Sequence, residues 1–146
     1  MTAFAGAAAL PDATAARQEV AFPRRYRLTQ TDEYSSVFGF RRALRGNFFL
    51  LHYGEARPGS ARLGLVIGKK CLKRAVGRNA VKRVLREAFR LLRASLPERD
   101  LIFRLSIRLE KPGRRLRQEI AAEAHALLER LARRLARENA SGREVT

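Results

Sequence analysis

The sequence predicts an α/β (α+β) two-layer sandwich: a mixed four-stranded sheet with about three helices, in the order αβββαβα. Three patterns lead there. Short apolar runs bounded by Gly and Pro read as strands, two segments repeat apolar residues at helical spacing, and a strict period of two separates those segments. Elements of mixed type that each bury one face pack as layers around one core. A chain of 146 residues with 46% hydrophobic content has material for one such core, so one domain is expected.

In chain order, residues 1–21 are rich in alanine with little to pack and read as a flexible extension. They lack a basic n-region, and Asp12 interrupts their apolar character, which argues against a signal peptide. A single domain is expected over 22–138. It opens on the basic and aromatic arm Phe22-Pro23-Arg24-Arg25-Tyr26-Arg27-Leu28. Thr31 is the expected N-cap of a short helix, with Asp32 and Glu33 complementing its dipole, and Gly39 the expected stop. Tyr34 and Phe38 lie one turn apart on one face of that helix.

Asn47 to Tyr53 and Arg62 to Gly68 read as two strands around a Pro58-Gly59 turn. They suggest an antiparallel hairpin, extended by a strand over Arg41 to Arg45. From Asn79 to about Leu96, Val81, Val84, Leu85, Ala88 and Leu92 form an apolar stripe, while Lys82, Arg86, Arg90 and Arg93 form a cationic face; Pro97 ends the helix. Leu101, Phe103, Leu105, Ile107 and Leu109 then alternate with Ile102, Arg104, Ser106 and Arg108, as in a strand with one buried face. A packing helix follows from Leu116 to about Leu135, and residues 139–146 are expected as a disordered tail.

The charge balance points to a partner. Lys and Arg number 31 against 14 Asp and Glu, a formal net charge of +17, which a polyanion explains and a small-molecule substrate does not. One cysteine, Cys71, forms no intramolecular disulfide, and the two histidines, His52 and His125, stand far apart in sequence, so neither a metal site nor acid–base nuclease chemistry is advertised. No apolar run approaches the roughly 20 residues of a membrane span.

Lys69, Lys70, Lys73, Arg74, Arg78, Lys82, Arg83, Arg86 and Arg90 fall within 22 residues, with Glu87 alone opposing them. A charge run is ordinarily a solvated face. Solubility needs charge of either sign, however, and this block is almost wholly positive on a loop and helix, which suits phosphate contact at defined spacings.

The order of residues in that block closely resembles the protein component of bacterial ribonuclease P. In that family a strand ending in Gly-Leu-x-Val leads to a Lys-Lys pair and then to Arg-Asn-Arg-x-x-Lys-Arg-x-x-Arg-Glu on a helix. The counterparts are Gly64-Leu65-Val66, Lys69-Lys70, Arg78-Asn79, Lys82-Arg83 and Arg86-Glu87. The resemblance covers roughly Phe22 to Arg134 and takes in Arg27-Leu28, the pair Tyr34 and Phe38, and Leu96-Pro97 followed by Asp100-Leu101-Ile102. Ala80 stands where the family has its second Arg, and the run from Arg104 to Glu110 is more charged than the family's last strand.

The resemblance implies a left-handed β-α-β crossover, against the usual handedness. It also implies the protein subunit of ribonuclease P, which binds a catalytic RNA and the 5′ leader of precursor tRNA and assists Mg²⁺-dependent endonucleolytic removal of the leader. The enzyme is then the holoenzyme: Mg²⁺ is held mainly by the RNA subunit, and none is expected on the protein alone. The implied RNA-binding residues are Lys69, Lys70, Lys73, Arg74, Arg78, Asn79, Lys82, Arg83, Arg86 and Arg90. A leader-binding cleft is implied around Arg27, Tyr34, Phe38 and Phe49. No catalytic or metal-ligating residue is assigned, and the partners are ribonuclease P RNA and precursor tRNA, in the cytoplasm, with no membrane.

The residues themselves leave alternatives. Tyr34 and Phe38 suit a core as well as a base-stacking surface, and Asn79 suits a helix cap as well as an RNA contact. A structural ribosomal or other RNA-binding protein without processing activity is the alternative function. A protein-only nuclease comes third, since the carboxylates are scattered.

Overall fold

Seven segments of the chain build the domain, and the computed structural model describes residues 24–145. After a short 3₁₀ turn at Arg24–Tyr26 come α1 (Thr31–Phe40), β1 (Arg42–Arg45), β2 (Phe49–Ala56), β3 (Arg62–Val66), α2 (Ala75–Leu92), β4 (Arg99–Leu105) and α3 (Arg114–Val145). The order αβββαβα is as expected. The alanine-rich segment 1–21 lies outside the described residues.

The sheet runs β1-β2-β4-β3. β1 and β2 are antiparallel, as are β2 and β4, whereas β3 and β4 are parallel neighbours joined through α2. The expected hairpin of Asn47–Tyr53 with Arg62–Gly68 is therefore corrected: β4 lies between the two strands, and the antiparallel hairpin is β1–β2. The cause lies in β4, whose Leu101, Ile102 and Phe103 are all fully buried, so it takes the central position that the most apolar strand favours.

Alternation then sorts the sheet's side chains. Phe49, Leu51, Tyr53, Leu63, Leu101, Phe103 and Leu105 face α2 and α3 and form the main core with Val81, Leu85, Phe89, Ile120, Leu127, Leu128 and Leu131. The other face carries a smaller cluster of Leu28, Val37 and Ile102, against which Tyr34, Phe38 and Val66 pack. Hence β4 is buried on both sides at Ile102, not on one, because α1 crosses the second face. The strand also stops at Leu105, and Ile107 is exposed.

Several boundaries move for local reasons. Gln30, not Thr31, precedes the first turn of α1, and Glu33 reaches back to accept from the backbone N–H groups of Thr29 and Gln30, both at 2.9 Å. Gly39 lies inside the helix, which ends when Arg41 adopts a left-handed conformation (φ 58°, ψ 37°). α2 begins a turn early, at Ala75, so Asn79 is not its cap. α3 continues to Val145, beyond the expected end near Leu135 and through most of the segment expected as a tail; no proline interrupts 114–145, and Arg134 and Glu138 add an i,i+4 ion pair at 3.6 Å.

Candidate nucleic-acid interface

The basic block divides between a loop and a helix. Residues 68–74 leave β3 in a turn closed by Cys71 and Leu72 N–H donation to the Gly68 carbonyl, and Leu72 is buried beneath it. Lys69, Lys70, Lys73 and Arg74 all stand exposed on this loop, with Asn79 and Arg83 exposed on the helix that follows. Arg78 is different. Its Nη1 donates to the carbonyls of Leu72 (3.0 Å) and Lys73 (2.8 Å), so it fastens the loop to the helix and is half-buried in doing so. Arg90 is held by Glu87 through Nε at 3.1 Å and Nη2 at 2.5 Å.

Lys82 and Arg86 point to the outer edge of β3. There they meet the arm: the Arg27 backbone bridges to Leu63, Leu28 N–H donates to the Leu63 carbonyl at 2.9 Å, and the Tyr34 ring lies over Gly64. Arg27, Tyr34, Lys82 and Arg86 line one cavity of about 150 Å³ with Leu28, Leu63 and Leu65. Only glycine allows this closure, since a Cβ at position 64 would stand 2.8 Å from the Tyr34 ring. Burial, and then the charge of Arg27, push the Arg86 guanidinium below its usual value. A half-buried cation facing another cation is relieved by an anion, and a guanidinium takes a phosphate in a bidentate grip.

The aromatic residues separate by strand parity. Phe38 stacks edge-on against His52 at 4.8 Å, on the sheet face beside α1. Tyr34 and Phe38 are half-buried, each resting on the small cluster and each keeping part of its surface open, so the two readings of this pair coexist in one position. Phe49 does not belong with them. It is 0% exposed and packs on Phe103 at 5.9 Å in the main core, so its assignment to a leader cleft is corrected: residues of β2 that reach the α1 side are Leu50 and His52.

Two pairings join the surface that sequence reasoning did not draw. His52 lies on that open face with Nε2 buried and unpaired, its pKa lowered by burial and then by Arg104, which is exposed on the neighbouring strand. Tyr26 is clamped between Arg93, 3.8 Å from its ring centroid, and Arg25 at 4.8 Å, so Arg93 of the expected cationic face holds the arm instead. Alternation from Ile102 signalled the first pair; nothing in the spacing of Tyr26 and Arg93 signalled the second. Among the described residues no group of three or more His, Cys, Asp or Glu could hold a metal ion. No helix among them is long and apolar enough to cross a membrane.

A rigid strand–loop–helix carrying cations, closed by an N-terminal Arg-Leu segment, is the arrangement expected from the residue pattern, and the family model described as Ribonuclease P matches residues 22–132. This chain belongs to the ribonuclease P protein family. It is similar to the ribonuclease P protein component of Paraburkholderia xenovorans, at 43% identity over 135 residues, covering 88% of this chain and 96% of the relative. It is also similar to that of Burkholderia mallei, at 46% over 125 residues, covering 82% and 91%. The fold is shared with the RNase P protein of Thermotoga maritima (TM-score 0.57, 24% identity, 73% of this chain and 96% of that one). It is shared too with that of Staphylococcus aureus (TM-score 0.56, 20% identity, 74% and 93%). Membership in the ribonuclease P family supports the protein-subunit reading over that of a ribosomal protein without processing activity.

Proposed function

We propose that this chain binds the RNA subunit of ribonuclease P through the 68–74 loop, α2 and the β3-edge cavity. The open half of the sheet beside α1 holds the single-stranded 5′ leader of precursor tRNA. The holoenzyme removes that leader to leave the mature tRNA 5′ end, with the chemistry and its Mg²⁺ belonging to the RNA, in the cytoplasm.

The observation that carries this reading is the junction at β3. Lys82 and Arg86 come from the cationic helix and Arg27 and Tyr34 from the aromatic arm, and they line one cavity. Phosphates held on the helix side and bases on the Tyr34 and Phe38 side would thus follow one continuous path. Stacking on an aromatic contributes about 1–3 kcal/mol per base and tolerates any sequence, as a leader of variable sequence requires. Arg78 and Arg90, engaged within the protein, shape this surface more than they reach from it; the exposed Lys69, Lys70, Lys73, Arg74, Asn79 and Arg83 make the outward contacts.

The test reconstitutes the protein with a bacterial ribonuclease P RNA and precursor tRNA at low Mg²⁺. Stimulated 5′ processing is expected, and its absence rejects the reading. Arg83→Ala should lower the salt dependence of RNA binding by about 0.7 in log–log slope on a single strand and about 0.9 on a duplex. Cleavage by rigorously RNA-free protein would instead establish a protein-only nuclease.

A further inference from the structure

A second cationic surface lies along α3, beside α2 on the same face of the sheet but toward the β1 edge, outside the interface described above. Arg130, Arg133, Arg134 and Arg137 repeat along α3 at spacings of three, one and three residues, which places them on one exposed face. The opposite face carries Leu127, Leu128, Leu131 and Leu135 into the core. With Leu44 of β1 and Glu138, the four arginines line a groove of about 510 Å³. Arg130 Nη1 donates to the Arg45 carbonyl at 3.3 Å, tying the helix to the β1 edge, where Arg42 and Arg45 are also exposed. Glu138 pairs with Arg134, so the groove holds four arginines to one carboxylate.

The sheet order fixes how this groove relates to the first surface. β1 and β3 are its two edges. Lys82 and Arg86 serve the β3 edge and the α3 arginines the β1 edge, three strand spacings away, or about 14 Å. One RNA strand lying along the β3 edge therefore does not reach the α3 groove directly.

We infer that the α3 groove is a second docking site for an RNA phosphate backbone, so that the protein bridges two segments of RNA. This rests on the reading that the α2 surface binds RNA. The stripe from Arg130 to Arg137 is about 10 Å long, enough to meet more than one successive phosphate of a backbone. All four cations are arginine, which grips phosphate bidentately. A lipid surface fits less well, because a helix lying on a membrane needs its apolar side free, and the apolar side of α3 is spent in the core. The exposed large hydrophobic residues among those described, Val76, Leu91 and Ile107, all lie elsewhere.

The experiment compares the full-length protein with Arg133→Gln/Arg137→Gln and with Lys82→Gln/Arg83→Gln. It follows assembly with ribonuclease P RNA across a salt series and by backbone footprinting, with thermal melts to show that the variants fold. The α3 double variant should lower the log–log salt slope by about 1.4 on single-stranded contacts to about 1.8 on duplex ones. It should also lose protection at an RNA segment distinct from the one lost by the α2 variant. An unchanged slope and footprint, with binding weakened by the α2 variant alone, overturns the second site and leaves the α2 reading standing. No RNA binding by the unsubstituted protein removes both. In a parallel arm with phosphatidylglycerol vesicles, vesicle binding lost by the α3 variant at an unchanged RNA slope would assign the stripe to lipid and overturn the inference.

Discussion

Glu123 of α3 holds the β1–β2 hairpin, and removing its carboxylate tests how the sheet is joined to the helices. Oε1 accepts from the Asn47 N–H at 2.6 Å, and Oε2 accepts from Phe48 at 2.8 Å and Phe49 at 2.9 Å. Three successive backbone donors thus converge on one carboxylate more than 70 residues away. Hydrogen bonds to a charged partner contribute about 1.5–3 kcal/mol each when shielded, but the Asn47 donor is open to water and recovers most of its bond there, and the part-buried Phe48 and Phe49 bonds keep about 1–2 kcal/mol each. Glu123→Ala should therefore cost about 2–4 kcal/mol. Glu123→Gln, which keeps one oxygen, should cost about 1–2 kcal/mol. At about 4 °C per kcal/mol for a domain of this size, the alanine variant should melt about 8–16 °C lower. A Cβ at Gly46 would stand 2.7 Å from the same carboxyl, so Gly46→Ala should be destabilising alone and much less so beside Glu123→Ala. Chemical and thermal unfolding of the four proteins in the cycle measures this. A drop of less than about 3 °C for Glu123→Ala, or strict additivity with Gly46→Ala, refutes the role given to the carboxylate.

Gly64→Ala should push the Tyr34 ring off β3 and cost about 1–3 kcal/mol by overpacking, with loss of protection at the arm in hydrogen exchange. Phe49→Ala should cost about 3–5 kcal/mol of stability, read by unfolding, whereas Phe38→Ala should chiefly weaken leader binding, read by titration with leader-length RNA. Acid should destabilise the fold in two stages, measured as melting temperature against pH. Burial lowers the pKa of His52 below 6.5, so the stability it contributes is present above that value and is lost as pH falls. Asp100 follows near and below 3.8. Burial would raise its carboxyl, but hydrogen bonds and charges from Arg62 and Arg57 hold it below its usual value; Arg62→Gln should remove most of this second stage.

The Asp100 network also shows where local reading ends. Arg62 bridges Glu33 of α1 at 2.6 Å and Asp100 of β4 at 2.8 Å, and Arg57 joins Asp100 at 2.7 Å. These residues are 29 to 43 positions apart, and no periodicity relates them. The stripe Val81, Leu85 and Ala88 was legible because burial on a helix repeats every turn within one segment. The place of β4 between β2 and β3 was not, because strand pairing joins segments through space and either partner satisfies the same backbone groups.

What the sequence by itself determined is the element order, the apolar faces of α2 and α3, and the cationic block with its family. Each is a property of residue type at short spacing. What only the tertiary structure decided is which of those residues share a surface. Arg27 and Arg86 meet across the β3 edge, Phe49 faces the core while Phe38 meets His52, and Arg78 turns inward to hold its own loop. The physical reason is common to all three. A side chain's role depends on which face of the sheet it occupies and which strand lies beside it, and both are set by long-range burial and pairing.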